Sequence, residues 1–243
     1  MTSPPIDEAM LHKYADLAVR SVLRPRLDVE RQMRELASQQ SAAFALEHML
    51  TARPIRPVKY GQAGVMDLLE HAISLVTVDG IWAEFGVFEG HTLRFIADRT
   101  PSLVYGFDSF EGLPEDWYLD YGKGRFDVGG ALPNLEDRKN VRLRKGWFSD
   151  SVPVFAAEVQ GPAAFLHIDS DLYSSAKTIL DHLGDRIVAG TVVVFDEYFN
   201  YPGWQQHEHR AWQEFCEARR VKFRYAAFAP EAQPVVVVVD TVG

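Results

Sequence analysis

The sequence predicts an α/β fold: a doubly wound, mostly parallel sheet of seven strands with an N-terminal helical cap. Three observations predict it. From Gly80 onward, short apolar and β-branched runs alternate with stretches of helical spacing, the pattern of strands joined by crossover helices. Several of these runs end on a glycine or an acid, as strands do where a ligand crevice opens. Residues 1–79 carry helical spacing and no strand signal, which divides the chain into a cap or interface segment over 1–79 and a binding and catalytic unit over 80–243.

In the first segment Leu11, Tyr14, Ala15, Ala18, Val22, Leu36, Phe44, Leu46 and Leu50 recur at near-helical intervals over residues 6–50, with Pro25 between. Arg53-Pro54-Ile55-Arg56-Pro57 breaks that pattern, and a further helix spans about 64–76. Strands follow at 81–86 and 103–107, separated by a glycine turn and a helix over 91–98. Residues 109–139 are glycine-rich and aromatic without a period, a length that usually belongs to a functional loop. A strand at 141–146 leads to a helix from about residue 150. The runs Ala163-Ala164-Phe165-Leu166 and Thr191-Val192-Val193-Val194-Phe195 are buried strands with a helix over 173–183 between them. A helix near 207–219 precedes two closing strands, 222–228 and 234–239. Only the turn Ala229-Pro230-Glu231-Ala232-Gln233 joins them, too short for a crossover, so they pair antiparallel.

The 243 residues are 47% hydrophobic and 24% charged, enough for a sizeable core, and the net charge is −9. An acidic chain has no basic footprint for nucleic acid or an anionic membrane, so neither is expected as a partner. The single cysteine, Cys216, excludes an intrachain disulfide framework and reads as a buried helix residue. No apolar stretch approaches the ~20 residues that span a bilayer. Residues 1–24 mix charges throughout, unlike a signal peptide. A soluble cytoplasmic protein is expected, and the helical first third suggests a dimer.

The most informative residues are four acids at two strand ends: Asp169 and Asp171 in H-I-D-S-D-L-Y, and Asp196 and Glu197 in F-D-E-Y. If the strands are neighbours, a spacing of roughly 4.8 Å gathers the acids into one volume. Such a cluster is costly unless a cation, a proton or a positively charged ligand joins it. The other end of the crevice is E-F-G-V-F-E-G. Its G-x-x-x-G turn, preceded by the acid Glu84, differs from the G-x-G-x-x-G of dinucleotide sites and would repel a pyrophosphate. Asp108, about twenty residues on, fits hydrogen bonding to ribose hydroxyls. An adenosine with cationic rather than phosphate chemistry is S-adenosylmethionine.

The segments E-F-G-V-F-E-G, F-D-S-F-E-G-L-P, G-W-F-S-D-S-V, H-I-D-S-D-L-Y and F-D-E-Y, in order over about 80–200, resemble the motifs of the macrocin O-methyltransferase family. That resemblance implies a class I, Rossmann-like methyltransferase fold. It implies S-adenosylmethionine as cofactor and Mg²⁺-dependent methylation of a hydroxyl on a sugar or glycosylated small molecule. It places Glu84, Gly86 and Gly90 at the methionine end and Asp108 at the ribose, flanked by Ser109 and Phe110, with Trp147 and Phe148 beside the adenine. It makes Asp169, Asp196 and Glu197 metal ligands, Asp169 also a cofactor contact, and Asp171 the general base. The family usually carries two adjacent aspartates where this chain has Asp196-Glu197, so the second ligand shifts, binds through water or is lost.

Some residues stay open. His167 shares strand parity with Asp169 and is either a site residue or a satisfied core histidine. His207, Glu208, His209 and Arg210 read as a solvated helix start rather than a metal cluster, because neighbours on a helix diverge. Tyr201 and Trp204 either line the crevice rim and touch the acceptor or simply anchor their loop. The rival functions are a catechol-type O-methyltransferase, an NAD-dependent oxidoreductase and a non-catalytic binding domain.

Overall fold

The computed structural model describes residues 28–59 and 64–243, together with His12, Tyr14 and Ala15. The helical stretch expected before residue 28 otherwise lies outside the described residues. The strands are β1 (Arg53–Pro54), β2 (Ile81–Phe85), β3 (Val104–Asp108), β4 (Val141–Lys145), β5 (Ala163–Ile168), β6 (Val192–Phe195), β7 (Lys222–Phe228) and β8 (Val235–Thr241). The helices are α1 (Val29–His48), α2 (Val65–Ser74), α3 (His91–Ala97), α4 (Phe148–Glu158), α5 (Tyr173–Leu183) and α6 (Glu208–Arg219).

They form one sheet in the order β1-β7-β8-β6-β5-β2-β3-β4. β8 lies antiparallel between β6 and β7, and the remaining pairings are parallel. The sheet thus has eight strands rather than the expected seven. The extra one is the Arg53–Pro54 pair, which the sequence presents as a proline-rich break. It lies at the edge, where the missing proline N–H costs no ladder bond, and Ile55 N–H continues the pairing onto Phe228 O at 2.8 Å.

A mostly parallel sheet is covered on both faces, so its inner strands are apolar throughout. β6 is buried over its full length, as is β8 from Val235 to Val239; each fully buried valine contributes about 1.5–3 kcal/mol. Phe85, Val193, Phe195 and Val237 face one core with α4, α5 and α6, while Trp82, Phe165, Val194 and Val236 face a second with α2 and α3. Along that second face Glu84, His167 and Asp196 stand two residues beyond Trp82, Phe165 and Val194, so side-chain alternation sets three polar residues on the same side of three adjacent strands.

Helix α1 begins at Asp28, whose carboxylate accepts from Arg31 N–H at 3.1 Å. Its buried Ser41 hydroxyl accepts from Asn200 N–H at 2.8 Å, and Phe44 packs edge-on against Trp204. The helix therefore braces the loop that follows β6. Among the described residues, no helix is long and apolar enough to cross a membrane.

Candidate active site

The carboxyl ends of β2, β3, β5 and β6 open side by side into a cavity of about 510 Å³. At one end stands the turn after β2. Gly86 has φ +96°, and a Cβ there would sit 1.7 Å from the Asp169 carbonyl oxygen. Only glycine lets this turn pass beneath the end of β5. Asp108, closing β3, places Oδ2 at 2.8 Å from both Val87 and Phe88 N–H and Oδ1 at 2.6 Å from Phe110 N–H. The carboxylate thereby holds the glycine turn to the start of the long loop. Ser109, Trp147 and Phe148 line the same end of the cavity, Trp147 as the residue that starts α4. Gly90 and Glu84, expected at this end, are not among the residues that line the cavity. Gly90, with φ +78° ahead of α3, faces Pro133 and Leu135. Glu84 is fully buried, with Oε1 at 2.8 Å from His167 Nδ1.

At the other end, pairing of β5 with β6 brings Asp169, Asp171, Asp196 and Glu197 to one wall of the cavity. One ligand atom each of His167, Asp169 and Asp196 lies within 4.8 Å of the others, a spacing suited to a shared cation. His167 Nε2 stands 3.7 Å from Asp196 Oδ1, too far for a hydrogen bond, and both atoms are buried without a partner. Glu197 Oε2 is likewise buried and unpaired. Clustered, unsatisfied oxygens of this kind are what a hard cation binds, so the residues fit one.

The electrostatics follow from burial. Desolvation, reinforced by the Asp196 charge, pushes Asp171 up to about 7. Burial holds Asp169 and Glu197 well above the ordinary carboxylate range, with the neighbouring acids adding to it. Glu84 is also raised, by burial, against the pull of its bond to His167. Burial opposes charging His167, but Asp196 and Glu84 outweigh it and raise the ring well above its usual value. Glu84 and His167 thus form a fully buried pair joined by a 2.8 Å contact.

Asp171 has φ +61°, and Leu172 N–H closes a three-residue turn onto Ser170 O at 2.6 Å. A non-glycine residue in this left-handed region costs about 1–3 kcal/mol and concentrates at functional sites. What holds the turn is a residue read from the sequence as solvated. Glu208 is wholly buried, its Oε1 accepting from Ser170 N–H (3.0 Å) and Oγ–H (3.2 Å), its Oε2 from Glu197 N–H (3.1 Å). Burial raises it to about 8 against those bonds. The only sequence signal was an acid at a helix start, which ordinarily faces water.

Tyr201 and Trp204 are buried rather than exposed on a rim. Tyr201 packs on Trp117 and Tyr118 of the long loop, and Trp204 on Phe44 and His209. The packing fits the anchoring alternative. Ser174, Ser175 and Thr178 on α5, which sequence reading did not single out, also line the cavity, with the Ser174 hydroxyl donating to Glu115 and the Thr178 hydroxyl to the Ser174 carbonyl.

The chain is similar to known proteins over much of this region. The chain is 29% identical over 158 residues to the 8-demethyl-8-(2,3-dimethoxy-alpha-L-rhamnosyl)-tetracenomycin-C 4'-O-methyltransferase of Streptomyces olivaceus, covering 55% of this chain and 59% of that one. It is 32% identical over 133 residues to the demethyldecarbamoylnovobiocin O-methyltransferase of Streptomyces niveus, covering 48% and 47%. The matched part is therefore about half the length of these relatives. The fold recurs in the O-methyltransferase NovP, with a TM-score of 0.54 and 23% identity over 72% of this chain and 79% of that one. It recurs in the calicheamicin methyltransferase CalS11, with a TM-score of 0.53 and 22% identity over 71% and 76%. These are doubly wound class I methyltransferase folds, the class the strand pattern predicts. The profile of the Macrocin-O-methyltransferase (TylF) family matches residues 61–226, a span running from ahead of α2 into β7 and holding every acid of the cavity, and the chain belongs to that family.

Proposed function

We propose that the protein is an S-adenosylmethionine-dependent O-methyltransferase that methylates a hydroxyl of a sugar or glycosylated small molecule. The observation that carries this is one cavity with two unlike ends. A glycine turn, Asp108, Trp147 and Phe148 stand at one, and strained Asp171 with Asp169, Asp196 and Glu197 at the other. Family membership and the sugar-derivative names of the two relatives support the acceptor class. The division into a segment over 1–79, which also lends β1 to the sheet, and a cofactor-binding unit over 80–243 belongs to the same reading.

The cofactor, when bound, supplies an activated methyl group on a sulfonium, so the chain has to orient and deprotonate the acceptor. Gly86 leaves room for close backbone approach, and the N–H groups of the turn are fixed by Asp108. Trp147 and Phe148 offer aromatic surface to a flat base. Asp169 and Asp196, with Glu197 or His167 as third member, would hold Mg²⁺, which when bound lowers the pKa of a hydroxyl and fixes its position. Asp171 takes the acceptor proton; burial, with the Asp196 charge beside it, raises its carboxyl to about 7 in the metal-free site, a stronger base than an exposed aspartate.

Calorimetric titration with S-adenosylhomocysteine, with and without Mn²⁺, followed by mass spectrometry of a panel of glycosides, tests the reading. The expected results are binding, tighter in the presence of the cation, and gain of one methyl group on at least one glycoside. A protein that binds neither S-adenosylhomocysteine nor the cation is not this enzyme.

A further inference from the structure

Glu208 is the one wholly buried carboxylate among the described residues that touches both acid-bearing turns. Ser170, whose N–H and hydroxyl it receives, separates Asp169 from Asp171. Glu197, whose N–H it receives, follows Asp196. The turn at Asp171 is held at φ +61°, a conformation that costs a non-glycine residue about 1–3 kcal/mol and persists where the surroundings fix it. The two turns belong to different strands, and α6 comes 37 residues after Asp171 (208 − 171), so this side chain is a nonlocal tie.

From this geometry we infer that Glu208 is a positioning residue, a strut that fixes Asp171 and the Asp196–Glu197 turn at a set separation. It rests on the proposed function only for what Asp171 and Asp196 do; the strut stands on the hydrogen bonds alone. The strut requires the span of the glutamate and not just its charge. Shortening by one methylene leaves the carboxylate able to reach one turn but not both. An amide presents its NH₂ to one of two N–H donors, which releases that turn.

The test compares Glu208→Asp and Glu208→Gln with the parent full-length protein. Hydrogen exchange is followed by mass spectrometry, Mn²⁺ affinity by electron paramagnetic resonance, and S-adenosylhomocysteine affinity by calorimetry. In both variants, residues 169–172 or 196–198 or both are expected to exchange at least tenfold faster. Mn²⁺ affinity is expected to fall at least tenfold, while exchange over 85–91 and S-adenosylhomocysteine affinity stay within threefold. A variant with exchange and Mn²⁺ affinity both at parent values overturns the proposal. So does faster exchange along all of 208–219, which would make Glu208 a helix-stabilising residue only. If the parent binds neither probe, the methyltransferase reading fails, and the exchange arm alone decides whether the strut exists.

Discussion

Asp108 closes β3 and Asp171 stands in the turn just beyond β5; both line the same cavity, and their surroundings are opposite. Asp108 receives three backbone N–H groups and in return holds the glycine turn in place. Asp171 is buried with no hydrogen bond to its carboxylate among the described contacts, sits in a strained turn, and titrates near 7. A buried carboxylate is stable when donors surround it and costly when they do not. The first acid therefore builds the site, and the second is kept in a state of readiness by residues around it.

The largest expected effect separates the two. Asp171→Asn is expected to lower methyl transfer about 10²–10⁴-fold, the usual worth of a general base. The same change is expected to stabilise the fold. The folded-state pKa of Asp171 lies above its unfolded value, so the folded chain binds the extra proton between about pH 4 and 7 and loses stability as pH rises through that window. Melting at pH 8 should show Asp171→Asn more stable, on the order of 1–3 kcal/mol. A variant that loses stability there instead makes Asp171 structural.

Gly86→Ala comes next. With φ +96° and a carbonyl oxygen 1.7 Å from the new Cβ, the turn cannot close, and a loss of about 3 kcal/mol is expected by denaturant unfolding, together with loss of S-adenosylhomocysteine binding. Asp108→Asn is milder. One oxygen remains, at least one N–H loses its acceptor, and a cost of about 1–3 kcal/mol is expected, opposite in sign to Asp171→Asn. Equal signs for the two asparagine variants would erase the distinction drawn between these acids.

The smallest effect lies away from the cavity and serves as a control. Burial, with His48 nearby, lowers His209 to about 4. Its folded-state pKa is depressed below the unfolded value, so the stability of the neutral ring is full above about pH 6.5 and is lost as pH falls toward 4. His209→Gln should flatten that part of the melting profile and leave the window of Asp171 unchanged.

Much of this was legible in the sequence. Glycine-ended and acid-ended runs marked β2, β3, β5 and β6, and the brief Ala229–Gln233 turn marked the antiparallel pair. Asp171, Asp169, Asp196 and Glu197 announced themselves because acids at strand ends are locally visible. Arg53–Pro54 was not, since a two-residue edge strand has no periodicity of its own and exists only through β7. The anchoring of Tyr201 and Trp204 depends on α1 and the long loop, which are distant in sequence.

The sequence by itself determined the doubly wound class, the strand ends and the residue types gathered there, because periodicity and turn chemistry act over a few residues. Only the tertiary structure decided how those acids differ. It gave Asp108 its three donors, paired Glu84 with His167, and drew Glu208 inward to hold two turns at once. Burial and hydrogen-bond supply are set by neighbours from distant segments, and those quantities decide whether a carboxylate serves the structure or the chemistry.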